Sequence, residues 1–563
     1  MKKVWLLLVF CLSLQLVWAQ EQKSLIRQAD DHYKRYEYAE AAASYIKLVQ
    51  QKKVKLETIE KLANCYRQVN RYADAATWYA KAITLAGAKP DDWLNYGNML
   101  KCLGSYDEAI NQYEGYARFA DNKKDVAVLI AGCKSAKAWM AAPTTHLITN
   151  AVMYNTSYSD WGTAYCRKTV VFVSDSMRKD QLTRLSKRNR TLYGRNRHDF
   201  LKLYAADSLS YGYMSIQDFS PVFNKYKYHT GPVAFTRNFD TAYFTVTEPR
   251  ISSNEKSKHM LSYGTRRLSI YVALWKNKAW QPLQPFAYNN PKQFSVGHAA
   301  LNPTGNILYF ASDMPGGLGG TDIWYSEKQP DGSWGIPKNC GNQINTNDDE
   351  EFPTLNETGT LYYSSKGLEG MGGFDLFMAK GARDQWTTPE NLRFPCNSPG
   401  DDFYYVSSGS NGFLSSNRKG GKGDDDIYAV ISQDTIQKII TPILRIKLEA
   451  TICKVPCIYL YNRQRGIGWC FAPGPDGMIT QMLEPETDYV IRTYATYAVK
   501  DSLEFDTRGI KGDSVIQKTF CPVPKQISSH ENIAPSATPI HHKKKQVKYK
   551  KQKNDFNKKR KKK

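Results

Sequence analysis

Two periods of hydrophobic and polar positions run through the chain. Between residues 23 and 140, small and aromatic residues return every 34 positions: Ala29, Ala63 and Gly97; Tyr38, Tyr72 and Tyr106; Ala41, Ala75 and Ala109; Tyr45, Tyr79 and Tyr113. Small residues let helices approach closely, and aromatics fill the groove between them, so this period predicts antiparallel helix pairs stacked side by side. A further helix over about 124–140 would cover the apolar edge of the last pair. From about 145 to 430 the chain changes to short apolar runs such as "ILYFAS" (307–312) and "DIWY" (322–325), which read as strands.

Between those two strands stands "GGLGG" (316–320), and the arrangement recurs in "SSKGLEGMGGFDLFM" (364–378) and "SSNRKGGKGDDDIYA" (415–429). Gly319, Gly372 and Gly423 match, as do Asp322, Asp375 and Asp426, at spacings of 53 and 51 residues. A repeat of this kind outranks a local motif. The glycines are expected in strand-to-strand connections, where positive φ costs only glycine nothing. Each Asp carboxylate is expected to accept backbone N–H bonds in its turn. A phosphate-cradling loop is excluded by context, because a strand follows where a helix N-terminus is needed and "GGKG" lacks the Ser/Thr.

Two fainter copies precede these. One is "TAYFTVTE" with "GTRRLSIYVALW", where Ser269 takes the Asp position; the other is "KTVVFVSDS" with "DFLKLYAA". A basic insertion, 178–198, separates the strands of the earliest copy. About fifty residues per copy, each with several short strands, predicts a β-propeller of five or six blades over 145–430, a closed ring that leaves few sheet edges exposed. "GSWGIP" (332–337) and "DQWTTP" (384–389) are expected as outer strands. Residues 441–523 alternate as strands around an Asp-Gly turn and predict a small β-sandwich. The fold class is therefore multidomain: helical array, all-β propeller, sandwich and tail.

The ends add a compartment. "MKKVWLLLVFCLSLQLVWAQ" has a basic start, an apolar centre and Val17-Trp18-Ala19, so residues 1–19 read as a cleaved signal peptide and the helical array as 20–140. No later stretch is apolar enough for a transmembrane segment. Cys453, Cys457, Cys470 and Cys521 are disulfide candidates in an oxidising compartment, with the pairing open. Their C-x3-C spacing, with no His nearby, argues against zinc. Of the net charge of +23, residues 543–563 carry thirteen Lys/Arg against one Asp, that is +12. Residues 524–563 are expected to be a polar linker and a disordered basic tail. With an export signal, the tail's expected partner is an anionic envelope surface rather than nucleic acid.

No linear enzyme signature is present: no HExxH, no G-x-S-x-G elbow and no dinucleotide fingerprint after a strand. His298 reads as structural. The carboxylates of 348–351 and 424–426 lack the EF-hand spacing. The expectation is a chain without catalytic residues, cofactor or metal.

The motif "LNPTGNILYFASDMPGGLGGTDIWY" (301–325) resembles the TolB-like and WD40-like periplasmic propeller repeats, also called PD40. The helical period resembles tetratricopeptide repeats, and "PDGMITQMLEPETDYVIRTYA" (475–495) resembles the carboxypeptidase regulatory-like sandwich. In this order the parts resemble the PorE-like envelope proteins of Bacteroidota, without the OmpA-like domain that follows in that family. The resemblance implies a periplasmic scaffold, or one on the periplasmic face of the outer membrane, tied to type IX secretion or gliding. It would hold envelope proteins through its helical groove and propeller faces. A propeller enzyme acting on glycans or peptides, or a carbohydrate-binding surface protein, is the alternative.

Overall fold

The computed structural model describes residues 25–51, 53–119, 123–176, 192–208, 214–248, 265–409 and 411–431. Beyond these it describes 443–448, 458–464, 467–471, 478–484, 487–493, 502–509 and 515–520. Residues 1–19 and 524–563, with Cys453, Cys457 and Cys521, lie outside the described residues.

The N-terminal part is helical: α1 (25–34), α2 (Tyr38–Val49), α3 (Leu56–Gln68), α4 (Tyr72–Ala82), α5 (Pro90–Cys102), α6 (Tyr106–Ala117) and α7 (Lys123–Ala141). Ala41, Ala75 and Ala109 expose nothing, and Tyr45, Tyr79 and Tyr113 are buried beside them. Two of these tyrosines make equivalent bonds one helix back: Tyr45 donates to Asp30 at 2.6 Å and Tyr113 to Asn98 at 2.9 Å. The Tyr113 ring fills the space beside Gly97, where a Cβ would lie only 2.6 Å from it. α5 begins on Pro90, and the Lys89 N–H is taken by the Asp92 carboxylate at 2.8 Å, which satisfies one of the free donors of the first turn.

Five antiparallel sheets follow among the described residues. The first holds β2 (Asp160–Cys166), β3 (Thr169–Ser174), β4 (Lys202–Ser208) and β5 (Met214–Asp218). The second is built on β6 (Thr230–Phe235), β7 (Thr241–Thr247) and β8 (Leu268–Lys276), with the short β9 (Ala279–Trp280) and β10 (Gln284–Pro285) on β8. The third holds β11 (Val296–Leu301), β12 (Ile307–Ser312), β13 (Asp322–Glu327) and β14 (Lys338–Asn339). In the fourth, β15 (Glu350–Leu355), β16 (Leu361–Ser365) and β17 (Asp375–Ala379) are edged by β20 (Glu390–Asn391), past a small hairpin of β18 (Gly381–Ala382) and β19 (Gln385–Trp386). The fifth holds β21 (Asp402–Ser408), β22 (Asn411–Ser416) and β23 (Asp426–Ile431), and its outer strand is β1 (Leu147–Asn150), from the other end of the region.

The first strands pack around a ring: β2 on β6, β6 on β11, β11 on β15, β15 on β21, and β21 back on β2. This is a propeller arrangement. Both faces of each sheet are covered, so its strands are apolar on both sides. In β12, Ile307, Tyr309 and Ala311 face the fourth sheet, while Leu308 and Phe310 face the second. The outer strands differ from expectation. Asn339 and Lys338 pair with Trp324 and Tyr325, so the edge lies just past "GSWGIP", and Trp386 of "DQWTTP" sits in the β18–β19 hairpin rather than on the edge.

The last unit has two sheets, β27 (Met478–Met482), β24 (Ile443–Leu448) and β30 (Val515–Phe520) against β26 (Ile467–Phe471), β25 (Ile458–Asn462), β28 (Asp488–Thr493) and β29 (Ser502–Asp506). They share a core of Ile458, Leu460, Ile479, Tyr489 and Ile491. The Tyr489 hydroxyl accepts the Glu484 N–H at 2.8 Å. Tyr459 and Cys470 rest on Val152 and Met153 of the propeller. Cys470 is disulfide-bonded, whereas Cys65, Cys102, Cys133, Cys166, Cys340 and Cys396 are free thiols.

Candidate binding chamber

The repeated Asp and Gly residues lie where the sheets meet. Asp322 accepts the N–H groups of Leu318 (2.5 Å) and Gly319 (3.2 Å). Asp375 accepts that of Gly372 at 3.0 Å, and Asp426 those of Lys422 and Gly423. A carboxylate on the third strand thus closes its own glycine turn. In the first sheet the equivalent position is Lys202, aligned with Ser174 as Asp322 is with Ser312, and its ammonium donates instead to the Tyr228 carbonyl at 2.7 Å.

The glycines need a different explanation from the one expected. Positive φ falls on Gly316 (95°) and Gly420 (91°), not on Gly319, Gly372 or Gly423. Those three face backbone carbonyls of the following sheet: Gly319 those of Thr346 and Asp348, Gly372 those of Pro399 and Gly400, Gly423 those of Thr156 and Tyr158. A Cβ at any of them would collide with main chain. Close approach between neighbouring sheets, rather than backbone handedness, is what selects glycine here.

The glycine-turn face of the ring carries the helical array. Met371, from the fourth sheet's turn, is wholly buried among Leu100, Tyr106, Tyr113, Val126 and Cys133 of the helices. Gly132 of α7 lies against Gly370, where a Cβ would be 2.6 Å from its carbonyl oxygen. The Tyr72 hydroxyl donates to Asp401 and accepts from Asn417 at 3.0 Å. Ser135 donates to Glu369. From the first sheet, Arg195 donates to the Gln68 carbonyl at 2.5 Å and accepts the Ala39 N–H at 3.1 Å, and Arg197 pairs with Glu40 at 2.5 Å.

Between helices and ring lies a chamber of about 1590 Å³. Its floor is the centre of the ring, where every first strand is bulged at the same place: between Trp161 and Ala164, Thr230 and Val233, Gly297 and Ala300, Glu351 and Thr354, Phe403 and Val406. Each bulge holds one residue at positive φ: Gly162, Gly231, His298, Phe352 and Tyr404. A bulge re-aims side chains toward a site. Here the bulges gather an aromatic plug. Phe352 stacks on His298 at 4.4 Å and meets Phe403 at 4.9 Å, and Trp161 meets Phe352 at 5.8 Å and Phe403 at 5.6 Å.

Polar groups surround the plug. Lys366 lies 4.2 Å from the Phe374 ring centre and donates to Asp349 at 2.9 Å. His198 bonds Asp175 at 2.9 Å, which raises its pKa. Burial pushes Glu351 and Asp425 each up to about 7 and also raises Asp348 and Asp424. Burial holds His298 down at about 4. His229, buried and near Lys202 and Arg195, falls to about 3. The two imidazoles are therefore neutral near pH 7. No hydroxyl or thiol among the described residues is hydrogen-bonded to His198, His229 or His298, so these histidines form no nucleophile–base pair. No metal-holding group of three or more His, Cys, Asp or Glu occurs among the described residues. Glu350 of the "DDEE" run is structural, accepting from Thr346 N–H at 2.6 Å and from Ser365 at 2.6 Å. No helix of the described residues is long and apolar enough to cross a membrane.

The chamber was only partly foreshadowed. His298 and the two acidic runs are noted in the sequence, but the strands that gather them are not. The bulges would emerge only from aligning all five first strands, because a positive φ at His298, Phe352 or Tyr404 has no composition signature.

No family model and no curated protein matches the chain. Solved structures similar to it include a nidogen/laminin complex (12% identity, 46% of this chain and 73% of that one, TM-score 0.27). They also include prolyl endopeptidases (8%, 68% and 49%, TM-score 0.25) and puromycin hydrolase (12%, 64% and 51%, TM-score 0.26). The chain spans about half the length of these two hydrolases. Likenesses this distant transfer no activity. The expectation that the chain is not an enzyme is nevertheless withdrawn: a propeller draws its groups from scattered loops that no linear motif reveals, so missing signatures do not exclude one.

Proposed function

We propose that the chain is a periplasmic scaffold of a cell-envelope complex, of the PorE-like kind tied to type IX secretion or gliding. In this reading three tetratricopeptide repeats are locked onto a five-bladed propeller of the TolB-like class, and a carboxypeptidase regulatory-like sandwich is docked on its rim. The observation that carries the reading is the composite chamber. Helices and sheets supply its walls together, and Met371 and Tyr72 fasten them into one unit. A recognition surface assembled from two modules suits a protein that holds another polypeptide in place.

The test is photo-crosslinking in intact cells from position 36. Tyr36 lines the chamber edge and is 61% exposed. Light-dependent capture of defined envelope proteins is expected. Recovery of the uncrosslinked chain alone would end the reading.

A further inference from the structure

The chamber floor presents two acceptors side by side. His298 Nδ1 makes no hydrogen bond, although the residue is only 9% exposed, and it stands 3.6 Å from Glu351 Oε2, too far for a bond between them. The Phe352 ring stacks on that imidazole, and Trp161 stands edge-on to both rings, 5.8 Å from Phe352 and 6.4 Å from His298. Asp425 also lines the chamber. Among the described residues no lysine or arginine lies within ion-pair distance of Glu351, Asp348 or Asp425.

The chamber holds one cation in a related way. Lys366 lies against the Phe374 ring and is clasped by Asp349. Aromatic face plus carboxylate is a strong desolvated setting for an ammonium. Extending the scaffold reading, we propose that His298 and Glu351, beside the Phe352–Trp161 plug, form a recognition site for a lysine side chain of a partner polypeptide, with Asp425 a further carboxylate of the same chamber. The ammonium donates to His298 Nδ1 and Glu351 Oε2 together. A free carboxylate has no donor to offer this pair, and a neutral hydroxyl has one proton for two acceptors.

The other charges nearby bear on this. Lys366 and Arg195 favour the ionised form of Glu351, while Asp349 and Asp313 oppose it; Asp401 and Asp424 oppose ionisation of Asp425 and Arg195 favours it. From the helices, Arg35, Glu37, Arg67 and Lys101 also line the chamber. Arg35 pairs with Glu37 at 3.0 Å and Arg67 with Asn64 at 2.7 Å. Lys101 acts on Asp348 and Asp375 instead. Binding should strengthen as pH rises from 6 to 8 and the two carboxyls ionise. His298 stays neutral across that range, and with its proton on Nε2 it offers Nδ1 as an acceptor.

The net charge of +23 makes the test more stringent, because it disfavours nonspecific association of a basic probe. The full mature chain is titrated into a fluorescein-labelled twelve-residue peptide of alternating lysine and serine, read by anisotropy, with a glutamate–serine peptide as comparison. Saturable binding of the lysine peptide alone is expected, weakened at least tenfold by the Glu351→Gln, Asp425→Asn pair and by about threefold or more on going from pH 8 to pH 6. Trp334→Ala, on the outer rim, should bind as the unaltered chain does. If the lysine peptide binds no better than the glutamate one, or the double variant binds normally with its melting curve unchanged, the site is refuted. Should the double variant unfold, Glu351→Gln alone and the pH series decide it, and unchanged affinity in both refutes the site. Envelope partners crosslinked at position 36 without lysine-peptide binding would refute this site and leave the scaffold reading standing. The reverse result would refute the scaffold reading alone.

Discussion

At Gly319, Gly372 and Gly423 a single hydrogen atom lets adjacent sheets touch through their main chains. The neighbour is backbone carbonyl in each case, and backbone cannot swing aside as a side chain can. Gly372→Ala is therefore expected to cost about 2–3 kcal/mol by overpacking. Gly305→Ala is the control, for its φ is 70° with nothing within 4 Å of the added carbon, and backbone strain alone should cost about 1–2 kcal/mol. Urea denaturation of both variants checks the order, and equal losses would restore the conformational explanation for Gly372. At this scale sequence identified the residues and missed the reason. The spacing of 53 and 51 marks which glycines are equivalent, but not whether a glycine serves its own φ or its neighbour's carbonyl.

Among the elements, legibility follows burial geometry. The helices were readable because each repeats the same buried small and aromatic positions, and the last three sheets because their turns repeat. The first two sheets read faintly: the turn carboxylate is replaced by Lys202 in one and Ser269 in the other. The join between array and ring was invisible, because Tyr72 meets Asp401 across 329 positions; Tyr72 reads only as one member of the 34-residue period, and Asp401 belongs to no motif. Two variants measure that join. Met371→Ala removes a side chain wholly enclosed by helices and should cost about 2–4 kcal/mol. Its mark should be faster amide exchange in Lys123–Ala141 than in β12, which lies away from the junction. Tyr72→Phe deprives Asp401 of a donor and Asn417 of an acceptor and should cost about 1–2 kcal/mol. Uniform exchange across all elements in both variants would mean that array and ring do not part separately.

The whole molecule should show a stability optimum in pH. Glu350, Glu351, Asp375 and Asp425 are each held near 7 by burial, so the folded chain keeps protons there that the unfolded chain releases near 4. Stability from these groups is present at low pH and is lost as pH rises from about 4 through 7. His229 and His298 act oppositely. Their folded values near 3 and 4 lie below the ordinary 6.5, so their contribution is present above 6.5 and is lost as pH falls toward 4. Four carboxyls outweigh two imidazoles between about pH 4 and 7, so the urea midpoint should be highest near pH 4 and fall as pH rises to 7. A midpoint rising steadily from pH 5 to 8 would show that the carboxyls are not buried as described.

The outer strand of the fifth sheet, Leu147–Asn150, has a consequence in time. Its partner Ile431 stands 284 positions after Leu147, that is 431 minus 147. At ribosomal speeds of about 5–20 residues per second, roughly 15–60 s separate the synthesis of the two. Throughout that wait the early strand has unclaimed amides and a latch with no keeper. A nascent chain of this design is most open to mispairing with a second copy of itself just before its last sheet is made.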